Sequence, residues 1–281
     1  MKFSVLLLAL IAVASFVGPP LAAALGIDPQ AVDLLDRLVG PSPTHPLGTD
    51  ELGRDVLFRL LEGGRVSLSI GIAAAIAAAA LGTVVGLTAG YLGGWTDRVL
   101  MRAADALIAL PLLPLLIVLA ALDVAKLGLP ARVVGSDEIS LLRILALTVL
   151  VGWTTAARLV RGATLVTRQR DFVRAARSLG ASVPHILRLH ILPNVTAPLI
   201  VATTLSVGDI ILLESVLSFL GLGVQPPLAS WGSMLSNAQE LITTDPKLAV
   251  YPGLMIFLTV IACNLFGDAL QQRWDVRRPG G

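Results

Sequence analysis

Apolar runs of about 20 residues recur along this 281-residue chain, and they constrain its fold more than any other feature. An α-helix of that length is enough to cross the hydrocarbon core of a bilayer. The composition agrees, because 14% of the residues are charged, against about 25% in soluble domains. The chain is therefore predicted to be an all-α integral membrane protein, with no room for a large soluble catalytic domain.

Six segments of the chain are predicted to be transmembrane helices. They are approximately 3–25, 66–92, 105–122, 141–160, 195–220 and 248–267. The fourth is the weakest prediction, since it is free of charge only from Ile144 to Ala157. Residues 1–24 also fit a cleaved signal peptide, because Lys2 and an apolar stretch precede the small-residue sequence "LAAA". Cleavage would leave five spans.

The distribution of charge predicts the orientation of these spans. The N-terminus, the loops 93–104 and 161–194 and the tail 268–281, with their flanking residues, carry 13 of the 21 Lys and Arg residues. The same segments carry only 5 of the 19 Asp and Glu residues. Because basic residues concentrate on the cytoplasmic side of membrane proteins, both termini are predicted to be cytoplasmic.

The segment 171–194 is basic and has the period of an amphipathic helix. Apolar residues recur on one face of its first part, and Gly180 is placed to end that helix. A second short helix is predicted to follow and to close at Pro193-Asn194. The face consists of Phe172, Ala175, Ala176 and Leu179. Two interpretations stay open: a hairpin lying on the inner leaflet, or a docking element for a cytoplasmic partner.

Two acidic residues, Asp209 and Glu214, lie inside the fifth predicted span. Acids at membrane depth are costly and usually face a cavity or a partner group. We therefore expect either residue to line a translocation pathway or to form a structural pair with Arg, Ser or Thr.

The outer side carries two further features. Residues 50–64 are predicted to form an amphipathic helix that stops at Gly63-Gly64, acting as an interfacial helix, a gate or a contact for a binding protein. Trp231 is predicted to anchor at the outer membrane interface, or to belong to a helix lying across the pore mouth.

Enzymatic function is disfavoured by what the sequence lacks. There is no glycine-rich phosphate-binding loop, so the chain is not expected to hydrolyse ATP. The three histidines lie in loops and Cys263 is the single cysteine, so neither an intramembrane hydrolase nor a metal site is expected. An ATP-independent channel or carrier is the main alternative for a hydrophobic chain of this kind. No cofactor and no nucleic-acid partner are expected.

The basic segment resembles the coupling loop in the permease subunits of binding-protein-dependent ABC importers. Ala175, Ala176, Gly180, Leu192 and Pro193 match the pattern of that loop. Arg174 and His190 depart from it, since Glu and Ile are usual there. The ending "HILPN" is similar to the branch that imports dipeptides, oligopeptides or nickel.

The resemblance continues along most of the chain. It covers "HPLGTDELGRDVLFRLLEGGRVSLSIG" (45–71), "DALIALPLLPLLIV" (105–118), "ESVLSFLGLGVQPPLASWGSML" (214–235) and "GDALQQRWDVR" (267–277). It implies a type I ABC importer permease fold with six transmembrane helices. The implied organisation is a first helix (1–25), a periplasmic segment (26–65), a permease core (66–268) containing the coupling loop (161–194), and a cytoplasmic tail (269–281).

The resemblance also implies a function: import of dipeptides or oligopeptides across the bacterial inner membrane, with nickel or another small solute as the alternative. The implied partners are a second, different permease, two cytoplasmic ATP-binding subunits that use ATP and Mg²⁺, a periplasmic or lipid-anchored substrate-binding protein, and membrane lipid. The residues implied to contact the ATPase are Phe172, Arg174, Ala175, Ala176, Leu179, Gly180, Ile186, His190, Leu192 and Pro193.

Overall fold

A computed structural model describes residues 2–24, 26–121 and 137–276, and this part of the chain is helical, with an isolated backbone bridge between Thr49 and Asp55. The helices are α1 (Lys2–Ala24), α2 (Val56–Leu92), α3 (Gly94–Ala109), α4 (Leu112–Ala121), α5 (Asp137–Thr167), α6 (Asp171–Ser178), α7 (Val183–Ile186), α8 (Leu192–Phe219), α9 (Trp231–Ala238) and α10 (Lys247–Val276). A short 3-10 helix covers Leu34–Asp36, and a π-helical turn, Leu187–Ile191, joins α7 to α8.

Five of the helical stretches are long and apolar enough to cross a membrane: α1, α2, α5, α7 through α8, and α10. The pair α3 and α4 makes a sixth span if its two halves are counted together. The predicted all-α membrane fold is therefore confirmed. Residue 122, at the predicted end of the third span, and residues 277–281 of the predicted tail lie outside the described residues.

The predicted third span, 105–122, is divided between two helices, α3 and α4. The axes of α3 and α4 differ by 90°. Leu110 has an extended backbone (φ −77°, ψ 139°) between the two helices. The cause is Pro111, since proline disfavours helical geometry in the residue before it and removes a backbone donor.

The predicted outer helix 50–64 is not a separate element. Residues 50–55 form turns, and α2 begins at Val56 and runs unbroken through Gly63-Gly64 for 37 residues. The two glycines serve close packing rather than helix termination. A Cβ on Gly64 would lie 2.3 Å from Ser15 Oγ of α1, and one on Gly63 would lie 3.1 Å from the Ser230 carbonyl carbon. The glycine pair therefore brings α1 and the outer loop against α2.

Helices α2 and α5 pack backbone to backbone through a glycine ladder. Gly82, Gly86 and Gly90 recur every four residues on α2. A Cβ on Gly82 would lie 2.5 Å from the Ala156 Cβ, and one on Gly86 would lie 2.5 Å from the Ala157 carbonyl oxygen. Small residues at this spacing allow membrane helices to approach closely, where van der Waals contact drives association.

The outer segment 26–55 is fixed to the start of α2 by buried charges. Arg54 Nε lies 2.7 Å and Arg59 Nε 3.5 Å from the same Asp50 carboxylate oxygen. Asp55 accepts a hydrogen bond from the Phe58 amide at 3.1 Å, which caps α2, and its other carboxylate oxygen lies 3.0 Å from His45 Nδ1. The charged positions of "GTDELGRD" therefore hold the segment together.

Candidate coupling hairpin and translocation cavity

The basic segment folds as a helical hairpin, as its period predicted. Helix α6 ends in a Schellman motif: the Gly180 amide donates to the Arg177 carbonyl and the Ala181 amide to the Ala176 carbonyl, both at 3.0 Å. Gly180 has φ +81°, and a Cβ there would meet no atom within 4 Å. The glycine is thus required by backbone conformation and not by space.

The hairpin is anchored through its inner face. Val173 and Ile186 are buried, and they pack in one cluster with Tyr91 at the end of α2, Val160 of α5 and Val195 of α8. The Arg177 guanidinium lies 5.4 Å from the centre of the Tyr91 ring, within cation–π range. The hairpin is therefore packed on the ends of three spans.

Two charged contacts reinforce the ends of those spans. Arg168, which directly follows α5, donates from its Nη1 to the Gly90 carbonyl of α2 at 2.8 Å. Arg161 of α5 makes two hydrogen bonds to the Asp97 carboxylate of α3, with Nη2 2.6 Å from Oδ2. Planar double contacts of this kind fix geometry more firmly than a single ion pair. They connect α2, α3 and α5 directly beside the hairpin.

The face of the hairpin that points away from the spans is exposed and partly apolar. Leu179 is 88% exposed, and Phe172 and Ala175 are exposed beside it. The Phe172 ring lies 6.2 Å from the His190 ring, which joins the two halves of the hairpin on this side. We call the set Phe172, Arg174, Ala175, Leu179 and His190 the coupling surface.

The other residues predicted to contact an ATPase lie elsewhere. Ile186 is buried in the hairpin core, and Ala176 and Leu192 are half-buried against that core. Pro193 stands in the first turn of α8, because the π-helical turn continues the chain into the span instead of ending the unit before it. Their roles in docking stay predictions.

Sequence reasoning missed the buried Val173 and the contact between Arg177 and Tyr91. A second apolar spacing, Val173 with Ala176 at i and i+3, was available as a signal for the inner face. The contact between Arg177 and Tyr91 joins positions 86 residues apart (177 − 91), and no local pattern predicts it.

A cavity of about 610 Å³ lies between the bent span, α5 and α8. Apolar side chains from the bend line one wall, among them Leu110 and Leu112. The polar groups that line the cavity come from the other two helices: Thr148, Thr154, Thr155 and Arg158 of α5, and Ser206 and Asp209 of α8. Asp209, predicted as a pathway residue, is exposed here.

The two acids of α8 have different surroundings. Among the described residues, Asp209 has no hydrogen bond or ion pair. Glu214 is 0% exposed, and it accepts hydrogen bonds from Ser67 Oγ at 3.0 Å and Ser218 Oγ at 2.7 Å. The structure therefore separates Glu214 from the cavity that Asp209 lines. In the part of the chain that the structure describes, no cluster of metal-ligating side chains is present.

Helix α9 packs against the start of α2 and the last turns of α8. Its cap is a pair of reciprocal hydrogen bonds between Ser230 and Ser233. The prediction that Trp231 anchors at the membrane interface is wrong, because Trp231 is fully buried and its Nε1 donates to the Leu60 carbonyl at 2.9 Å. Gly64 leaves the space that its ring fills, with a Cβ position 2.8 Å from the ring.

Comparison with known proteins identifies the family. Residues 82–278 match the binding-protein-dependent transport system inner membrane component family. This range contains the hairpin, the cavity and the α2–α5 glycine ladder, which are the features described above.

Three similar proteins illustrate the relationship. The chain is 41% identical to the glutathione transport system permease protein GsiD of Pectobacterium atrosepticum, over 85% of this chain and 75% of the relative. It is 37% identical to the probable D,D-dipeptide transport system permease protein DdpC of Escherichia coli, over 90% and 80%. It is 38% identical to a putative peptide permease protein of Brucella suis, over 89% and 78%. The chain belongs to the family of inner membrane components of binding-protein-dependent transport systems.

Proposed function

We propose that this chain is a membrane-spanning permease subunit of an ABC importer that carries dipeptides or oligopeptides across the bacterial inner membrane. The names of its relatives support this substrate class, since glutathione and D,D-dipeptides are both small peptides. Nickel or another small solute is the second candidate, supported only by the resemblance of the hairpin ending "HILPN".

The observation that carries the proposal is the two-sided hairpin. One side exposes the coupling surface, and the other is packed on α2, α5 and α8 through Val173 and Ile186. A partner bound to the exposed side would therefore act on all three spans at once. A hairpin that only lay on lipid would need no such rigid connection.

The proposed partners follow from the family to which the chain belongs. Two cytoplasmic subunits bind and hydrolyse ATP with Mg²⁺, one of them docking on the coupling surface. This chain itself binds no cofactor and catalyses no reaction. A second, different permease completes the membrane assembly, with the remaining surface in lipid. A periplasmic or lipid-anchored binding protein delivers the peptide to the outer side, near the segment 26–55 and α9. Both termini are cytoplasmic.

Transport then proceeds by rigid-body motion. ATP binding brings the two ATPases together and pulls on each coupling surface. Because the hairpin core is close-packed, the displacement passes to α2, α5 and α8 instead of being absorbed locally. Two of these helices line the cavity, so its access changes from the inner to the outer side. The peptide crosses as the cavity changes access.

Co-purification of the ATPases tests the docking step. Leu179→Asp places a charge on an apolar residue of the coupling surface that is 88% exposed, and we expect ATPase association to fall about tenfold, the effect of losing roughly 1.4 kcal/mol of apolar contact. Leu35→Asp is the matched control, because Leu35 is 94% exposed in the outer segment and should leave association unchanged. Equal association of both variants with the ATPases would contradict the proposal.

A further inference from the structure

Asp209 is an acid deep in a membrane helix, exposed in the cavity and without a partner. Such an acid is costly unless it binds a ligand. Asp209 lies about 26 Å along α8 from Leu192 and about 15 Å from Phe219, near the middle of the span. It is exposed in the cavity of about 610 Å³. No described side chain pairs with it.

The cavity wall also contains a positive charge that could neutralise Asp209, but this charge is already paired. Arg158 also lines the cavity, but its Nη2 lies 2.5 Å from Oδ1 of Asp105 on α3. Asp209 is therefore left as the unpaired acid of this wall, with Ser206 one turn away on the same helix. The walls around them are largely apolar, and a low dielectric strengthens any attraction between the carboxylate and a cation.

We infer that Asp209 is a contact for the ammonium group of the transported peptide. The inference rests on the proposed importer function and adds a charge preference inside the membrane to whatever selectivity the binding protein has. A free amino terminus would approach Asp209 and donate hydrogen bonds to its carboxylate, and the Ser206 hydroxyl would add a polar contact. An N-blocked peptide would lose that attraction.

The contrast with Glu214 supports the assignment. Glu214 is five residues further along α8, and its carboxylate oxygens are occupied by Ser67 and Ser218. An acid that served only the structure of α8 would be expected to have partners of this kind. Asp209 has the exposure and the free oxygens that a transient ligand requires.

Charged thiol reagents test the electrostatic part of this inference. Ser206→Cys, in a Cys263→Ala background, places a thiol one turn from Asp209 in the assembled full-length complex. The rate of labelling is measured with the cationic trimethylammonium-ethyl and the anionic sulfonato-ethyl methanethiosulfonates. Adding Asp209→Asn should lower the cation-to-anion rate ratio by at least a factor of about five, which is the effect of one charge at roughly 8 Å even in water. Glu240→Gln, an equal charge change at an exposed acid just after α9, should leave the ratio unchanged.

Peptide protection tests the ligand. Dialanine, at up to tens of millimolar, should slow the labelling of Cys at position 206 when Asp209 is present and much less in the Asp209→Asn variant. N-acetyl-dialanine should give little protection in either background. Asp209→Glu should retain the preference.

Several results would overturn the inference. They are a rate ratio unaffected by Asp209→Asn, no reaction of the thiol with either reagent, and equal protection or none from the two peptides. An unchanged ratio is also the result expected if a basic residue of the second permease neutralises Asp209 in the complex. Failure of the importer proposal would be recognised separately, as absence of ATP-dependent uptake by the unmodified protein.

Discussion

Glu214 of α8 accepts a hydrogen bond from Ser67 of α2 at 3.0 Å, 147 positions apart in the chain. The same Ser67 hydroxyl accepts a hydrogen bond from the Trp231 amide at 3.2 Å. One buried chain of hydrogen bonds therefore joins α8, α2 and α9. A buried polar network of this kind is stabilising only while every member is satisfied.

Removing the Glu214 carboxylate should therefore destabilise the protein. Glu214→Leu leaves the Ser67 and Ser218 hydroxyls without their acceptor, and we expect a loss of about 2–4 kcal/mol, since each buried unpaired group costs about 1–3 kcal/mol. Thermal unfolding in detergent should show a lower midpoint. Glu240→Ala, which changes an exposed acid just after α9, should not move it. Equal midpoints for the two variants would contradict this account of Glu214.

The α2–α5 contact should fail when its glycine ladder is filled. Gly86→Leu has no space, because even a Cβ would lie 2.5 Å from the Ala157 carbonyl oxygen and 2.8 Å from the Val160 Cβ. We expect little folded protein in the membrane fraction by size-exclusion chromatography. Gly162→Ala on α5 is the control, since a Cβ there meets nothing within 4 Å and alanine favours helix. Normal yield of Gly86→Leu would mean that the two helices do not approach as described.

Asp50 should be more important to the outer segment than its neighbour Glu51. Asp50→Asn takes the charge away from two buried guanidinium groups, those of Arg54 and Arg59, and breaking a buried pair costs about 3–5 kcal/mol. Glu51→Gln removes one longer contact of 3.3 Å to Arg54 at a more exposed position. Limited proteolysis should cut the segment 26–55 faster in Asp50→Asn only. Similar cleavage rates in the two variants would argue against the pairing.

The inner face of the hairpin should control how efficiently ATP hydrolysis drives transport. Val173→Ala removes two buried methyl groups between the hairpin and α2, α5 and α8, a change that costs about 1–2 kcal/mol in a packed core. We expect normal ATPase association but less peptide taken up per ATP hydrolysed. Val166→Ala, at an exposed site of α5, provides the same change without the contact. Unaltered uptake per ATP in Val173→Ala would separate the hairpin core from coupling.

The sequence predicted the features that depend on local pattern. Apolar length located the spans, and the spacing of Phe172, Ala175, Ala176 and Leu179 before Gly180 predicted the helix α6 and its end. Of that predicted face, Ala176 instead lies half-buried against the hairpin core. It did not predict where helices continue or break. Gly63-Gly64 was interpreted as a helix end because glycine is a poor helix former, yet the close approach of α1 and Trp231 outweighs that preference.

The local sequence pattern could not predict contacts between segments that are distant in the chain. Asp209 and Glu214 are similar in sequence, as acids within one apolar span, and only the fold gives one a cavity and the other two serines. Arg158 of α5 likewise lines the cavity with its Nη2 2.5 Å from Oδ1 of Asp105 on α3, a contact between positions far apart in the chain. The separation of these roles depends on tertiary packing.

The most direct test of the proposed function is ATP-dependent uptake in proteoliposomes that contain this chain with the second permease, the two ATPases and the binding protein encoded with them. We predict that radiolabelled di- or tripeptide accumulates only when ATP and Mg²⁺ are present on the ATPase side, and that Leu179→Asp abolishes accumulation while Leu35→Asp does not. Accumulation that continues without ATP, or without the ATPase subunits, would contradict the account and indicate a channel or carrier.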